Sequence, residues 1–246
     1  MNYVIKHDRC PKCAENGRDR GGNNLAVYSD GHSFCYAGHG VVDFGSKITA
    51  FNNKYKEIEE LHKYDLTLPE DSDIVYPDRC LKWMSQYGLD KNDLFSNNIL
   101  WSEQKQRLLF PIYDNNGLVA WQGRWFGEGN HAKWFTKGNV KDLFHILGKS
   151  DILVLVEDIV SAIVVGKVFS AMPLFGCFVG KDRFKRLYSL YGKEIEVCVW
   201  LDPDKRKEAI SETKLGSLYG LRTRTIFSDV DPKELTTEQI KEKLND

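Results

Sequence analysis

Two sets of side chains in this chain have the types and spacing to do chemistry. The first is a thiol and imidazole set. Cys10 and Cys13 stand C-x2-C in CPKC, Cys35 follows in SFCY, and His39 comes shortly after. A C-x2-C turn aims two thiolates at one ion, and Pro11 helps to fix its shape. His39 can close a Cys3His tetrahedron around zinc, with His32 and His7 as alternative fourth ligands. The segment holds few large apolar residues, so ligation would supply folding free energy. The plainer alternative is a pair of exposed cysteines and one free thiol.

The second set is acidic. Glu157 and Asp158 end the apolar run ILVLV, Asp202 and Asp204 flank Pro203 after EVCVWL, and Asp231 follows RTRTIF. Carboxylates crowded together raise one another's pKa unless a cation intervenes. Mg2+, a hard ion that takes carboxylates and phosphates, suits them, and Mn2+ is a substitute. Ordinary loop and helix-cap acids are the competing account. A third group is mixed. Arg107, Gln122, Arg124, Lys133 and Lys137 recur among Trp121, Trp125, Trp134 and Phe135. Such a pattern either tracks and stacks a single-stranded nucleic acid or is a sheet with core aromatics and solvated cations. Lys181, Arg183, Lys185 and Arg186 share one basic segment and either neutralise phosphates or solvate a helix.

The elements that must position these groups follow from pattern. AVYSDGHSFCY alternates as strand, turn at Asp30-Gly31, strand. Lys54 to His62 reads as a short polar helix, Leu66 to Pro77 as loop or linker, and Pro77 to Tyr87 as a helix stopped by Gly88. Arg107 to Phe126 reads as a hairpin over Asn-Asn-Gly. From Asp151 onward, strands near 151–156, 168–175, 196–201 and 222–227 alternate with helices, and the continuous apolar runs indicate a buried parallel sheet. Sites in such sheets form past the carboxyl ends of the strands, where Glu157, Asp202, Asp204 and Asp231 all fall. The chain has neither GxGxxG after its first strand nor GxxxxGK[ST], so a Rossmann cofactor and a P-loop ATPase are unsupported. The expected divisions are 1–45 as a zinc module, 46–100 as a connector, 101–150 as a subdomain ahead of the acidic cleft, and 151–246 as the α/β unit.

Composition sets outer limits. The 246 residues carry a net charge of −1, which argues against broad charge-driven binding of duplex DNA. No apolar run is long enough to span a bilayer, and the N-terminus lacks a signal peptide's apolar stretch, so reduced cysteines are expected. Cys80, Cys177 and Cys198 are scattered and read as buried small apolar residues.

The motifs resemble those of bacteriophage DNA primases, the primase half of phage helicase-primases, and more distantly bacterial primases. CPKC resembles the family's first ligand pair and YSDGHSFCY its second strand pair, with His32 at a base-contacting histidine. LLFPIYDNNGLVAWQGRW resembles the approach to the polymerase domain, with Arg124 at a basic groove position. LVLVED resembles the TOPRIM glutamate motif at Glu157, WLDPD the DxD motif at Asp202 and Asp204, and DPKEL a later acidic motif at Asp231. The resemblance implies an α/β fold, a zinc ribbon joined to a TOPRIM-type RNA polymerase domain with a mixed, mostly parallel sheet. It implies Mg2+-dependent primer synthesis from ribonucleoside triphosphates on single-stranded DNA. Glu157, Asp202 and Asp204 would be catalytic, and with Asp231 would hold Mg2+. His32, Arg107, Arg124, Lys133, Lys137 and Lys181 would contact template or nucleotide. A separate replicative helicase is the expected partner, because no motor follows, and the cytoplasm of an infected bacterium is the expected setting. The sequence departs from the family in three places. Gly38 stands where a second C-x2-C would end, Asp158 replaces the glycine after the glutamate, and Ser161 replaces an aspartate found in some relatives. A TOPRIM nuclease and a non-catalytic zinc adaptor for DNA or a helicase are the competing functions.

Overall fold

A computed structural model describes residues 4–17, 19, 21–28, 33–37, 40–43, 66–114, 117–140 and 143–245. The chain divides into two compact units, Met1–Asp65 and Leu66–Asp246. The Lys54–His62 helix, the Asp30-Gly31 turn, His32 and His39 lie outside the described residues.

In the first unit β1 (Val4–Asp8), β2 (Leu25–Tyr28), β3 (Ser33–Cys35) and β4 (Gly40–Asp43) form an antiparallel sheet in that order. Asp8 pairs with Leu25, and Leu25 pairs with Cys35. That row sets Cys35 beside the chain that leaves β1 toward Cys10. The short helix α1 (Pro11–Glu15) starts on Pro11, whose missing N–H costs nothing at a first helical position. The described core here is Cys10, Cys13, Leu25 and Cys35, with Val27 against it. Four side chains of this size are a small core, so cross-linking by a metal is the natural stabiliser.

The second unit begins at Leu66. Its first part is an antiparallel sheet, β5 (Ser72–Asp73), β6 (Leu100–Ser102), β7 (Arg107–Asp114), β8 (Gly117–Trp125) and β9 (Trp134–Gly138), in sequence order. Between β5 and β6 lie α2 (Asp78–Ser85), preceded by Pro77, and α3 (Lys91–Ser96), closed by a reciprocal Asp90–Asp93 capping box. Residues 66–77 are therefore not a free linker. Trp121 Nε1 donates to the Thr67 carbonyl, Tyr76 Oη donates to Ile99 O, and the Asp71 carboxylate accepts from Ser102 Oγ and Gln104 N. The segment lacks periodicity because side-chain-to-backbone bonds hold it.

From Ile152 the chain builds a parallel sheet in the order β11-β10-β12-β13: β10 (Ile152–Val156), β11 (Ser170–Pro173), β12 (Glu196–Val199) and β13 (Arg222–Thr225). One antiparallel bridge, Leu147 to Ala171, extends its β11 edge and makes the sheet mixed. The helices α4 (Ile159–Gly166), α5 (Lys181–Tyr191), α6 (Arg206–Leu218) and α7 (Thr237–Asn245) complete the unit. Alternate strand residues enter two cores. Val154, Val156, Cys198 and Trp200 pack with α2 and the antiparallel sheet, whereas Leu153, Leu155, Val197 and Val199 pack with Phe184 and Leu187 of α5. Burial on both faces explains the unbroken apolar runs. The β-branched IVSAIVVG sequence forms α4 because Asp158 caps it, accepting from Val160 N and Ser161 N, and because nearly all of it is buried. Among the described residues no helix is long and apolar enough to cross a membrane.

Candidate active site and metal centre

Cys10, Cys13 and Cys35 converge. Their sulfurs lie within 4.8 Å of one another, all three residues are buried, and Cys13 Sγ is 3.5 Å from Cys35 Sγ. The cluster is made by the C-x2-C turn and the β2–β3 register. Burial, Cys35 and Cys10 push the Cys13 thiol up to about 11, a penalty that a bound divalent ion reverses. Three buried sulfurs at this spacing fit zinc. Exposed His7 on β1 does not join them. Asp19, which the sequence reading passed over, is buried and accepts from Cys10 N at 2.7 Å and Asn23 N at 3.2 Å, so it fixes the backbone that carries the first thiol.

The acids meet at the carboxyl edge of the parallel sheet. The chain runs from β10 outward to β11, then returns to the other side of β10 as β12. The switch point thus lies between β10 and β12, where Glu157 and Asp202 emerge. Backbone pairing continues past the strands, with Trp200 N donating to Leu155 O and Leu174 N to Val156 O, so these strand ends are well fixed. Trp200, fully buried, donates from Nε1 to Ser228 Oγ, which in turn donates to Val230 O and ties in the loop leading to Asp231.

The carboxylates have different surroundings. Glu157 Oε2 and Asp202 Oδ1 are buried without a hydrogen-bond partner. Burial pushes the Asp202 carboxyl up to about 7, with Asp231, Glu157 and Asp158 adding to the rise and Lys233 opposing it. Glu157 is raised by burial, with Asp204 and Asp158 adding to it against Lys205 and Lys233. Asp204 is exposed, paired with Lys205, and lowered by that bond. Asp158 and Asp231 both contact Lys233 Nζ, at 3.0 and 2.6 Å. Burial opposes the charge on Lys233, but Asp158 and Asp231 overcome it and lift its pKa above that of ordinary lysine. Asp158 thus caps α4 and pairs with Lys233, and the buried hydroxyl of Ser161 donates to it at 2.9 Å. Lys233 had no sequence signal of its own. It lies 75 residues from Asp158 in a polar DPKE turn.

The expected basic surface divides. Paired residues of adjacent strands share a face, and Arg107 pairs with Trp125 while Leu108 pairs with Arg124. Arg107 and Arg124 therefore occupy opposite faces of the hairpin. Arg107 is 9% exposed and donates to Gly123 O at 2.7 Å and Ala132 O at 3.0 Å, lying over Trp125 and Phe135. It is a clamp inside the sheet rather than a free surface cation. Arg124 sits among Trp83, Phe126 and Trp134, with its Nε buried and unpartnered. Lys133 is exposed, and Lys137 shares the Trp121 face. Lys181 is exposed in the first turn of α5, past the end of β11. Arg183, expected at phosphates or in solvent, is neither. It is buried, and its guanidinium reaches the carbonyls of Val140, Leu143, Leu174 and Phe178. Cys177 is partly exposed rather than buried.

The zinc-binding and RNA polymerase domains of the Aquifex aeolicus primase superpose on this chain with a TM-score of 0.56 at 16% identity, over 99% of this chain and 77% of that one. The chain has the primase fold. The primase fragment of the bacteriophage T7 primase-helicase protein matches at a TM-score of 0.49 and 14% identity, over 98% of this chain and all of that one. No protein-family model and no curated protein matches the chain. The α/β expectation of a cysteine module joined to a unit with a mixed, mostly parallel sheet is met by the first unit's cysteine cluster and by the sheet β11-β10-β12-β13.

Proposed function

We propose that the chain is a DNA primase that joins ribonucleoside triphosphates into short RNA primers on single-stranded DNA with Mg2+. The observation that carries this reading is the pair of buried, unpartnered carboxylate oxygens, Glu157 Oε2 and Asp202 Oδ1, at the switch point of the parallel sheet. Oxygens taken from water and given no donor suit a hard cation. Bound there, Mg2+ would neutralise charge that builds on the triphosphate and the attacking 3′-oxygen.

In this reading Asp202 and Glu157 hold the ion from the sheet, and Asp204 reaches it from the solvent side. Glu157 either shares the metal or assists deprotonation of the attacking 3′-hydroxyl. Lys205 and Lys181 offer positive charge to phosphate oxygens. Cys10, Cys13, Cys35 and His39 hold zinc, and His32 contacts template bases. Arg124, half-buried in its aromatic cage, and the exposed Lys133 line the template path. A separate replicative helicase and the cytoplasm of an infected bacterium belong to the same reading.

The test is extension of labelled ribonucleotides on varied single strands with Mg2+, using wild type and Asp202→Asn. The expected outcome is short RNA that depends on template and triphosphates, and its near-complete loss in the variant. Cleavage of the strand without any need for ribonucleotides would replace the reading with a nuclease.

A further inference from the structure

The five carboxylates at the sheet edge do not gather around one point. Among the described residues only the three cysteines bring three or more ligand atoms within 4.8 Å of one another. One side of the cleft is already occupied by protein. Asp158 Oδ1 accepts from Val160 N and Ser161 N, and its Oδ2 accepts from Ser161 Oγ and Lys233 Nζ. Asp231 Oδ2 accepts from the same ammonium. The Lys233 side chain is 15% exposed, and its position is set locally. Buried Pro232 fixes the backbone before it, and Glu234 N donates to Asp231 O to close the turn. The other side, Glu157 and Asp202, holds the two unpartnered oxygens.

We propose that Lys233 is a built-in counter-ion that withholds the Asp158–Asp231 side of the cleft from divalent cations, leaving one Mg2+ position at Glu157 and Asp202. An ammonium two hydrogen bonds deep in carboxylates supplies the charge a second ion would bring. A Mg2+ ion there would need oxygen ligands at about 2.1 Å in near-octahedral array and would have to displace both charge-assisted bonds. The lysine thereby sets how many metals the cleft takes. The proposal rests on the primase reading for the identity of the metal, but its test reads binding and not synthesis.

The experiment titrates Mn2+, as a paramagnetic substitute for Mg2+, into zinc-loaded wild type, Lys233→Met and Lys233→Arg, with bound ion counted by spin resonance. The expected result is one Mn2+ per wild-type chain, a second in Lys233→Met, and one in Lys233→Arg, where the charge is kept. Two ions in wild type, or one ion in a folded Lys233→Met, would overturn the proposal. Should Lys233→Met lose its fold, the wild type and Lys233→Arg decide it: one ion in each upholds the proposal, and two in either overturns it. A stoichiometry that rises as expected in a chain that makes no RNA would leave the counter-ion standing and reject the primase reading. RNA synthesis by a wild type that takes two ions would do the reverse.

Discussion

Replacing the carboxylate of Asp202 by an amide should make the Mg2+-free protein more stable above neutral pH. Burial first, and then Asp231, Glu157 and Asp158, hold the folded-state pKa at about 7 against a reference of 3.8. Because the folded state binds this proton more tightly, the stability it contributes is fully present below the unfolded pKa and is lost as pH rises through about 7. A gap of about three units at about 1.36 kcal/mol each sets a ceiling of about 4 kcal/mol, and solvent reaching the half-buried group reduces this to about 2 kcal/mol. Asparagine has no proton to lose and nearly the same volume. Urea unfolding of wild type and Asp202→Asn in Mg2+-free buffer should thus give similar stabilities near pH 4. Near pH 8 the variant should lead by about 2 kcal/mol. All six tryptophans lie between Trp83 and Trp200, so fluorescence reports the second unit alone, whatever happens to the cysteine module. Millimolar Mg2+ should erase the variant's lead, since only wild type gains from binding it. A variant that is less stable near pH 8, or equally offset at both pH values, would refute the account of a crowded, desolvated carboxylate awaiting a cation.

Purified protein should contain about one zinc per chain by elemental analysis, and His39→Ala should lose more of it than His32→Ala; the opposite order would move the fourth ligand to His32. Arg183→Leu should cost about 2–4 kcal/mol in urea unfolding, since it strands the carbonyls of Val140, Leu143, Leu174 and Phe178. Unchanged stability with a raised KM for ribonucleotides would instead return Arg183 to the phosphates.

The features legible in the sequence were those fixed by local pattern. ILVLV followed by Glu157 reads as a buried strand ending in an acid because a sheet covered on both faces leaves no polar alternation. CPKC reads as half a metal site because the turn itself aims both thiols. Illegible features depended on partners remote in sequence. Lys233 becomes a cation between two carboxylates only when β10 and the segment after β13 come together. Arg183 becomes a carbonyl clamp only when Val140, Leu143, Leu174 and Phe178 come to its guanidinium.

In the hairpin, a single extra residue decides which face each arginine takes. Next to the turn, Asp114 pairs with Gly117 and Tyr113 with Leu118. Continued without interruption, that register would set Arg107 directly opposite Arg124, on one face, as a shared basic surface requires. The ladder instead shifts between Ile112 and Tyr113, so that Ile112 pairs with Ala120 and Val119 is the extra residue. Beyond the bulge Arg107 meets Trp125, Arg124 meets Leu108, and the arginines face apart. A one-residue shift moves every later side chain across the sheet. The same shift removes a like-charge cross-strand pair and gives each arginine its own aromatic partners, Trp125 and Phe135 for one, Trp83, Phe126 and Trp134 for the other. Composition and alternation alone do not reveal a bulge, so the arginines' residue types were readable and their opposite faces were not.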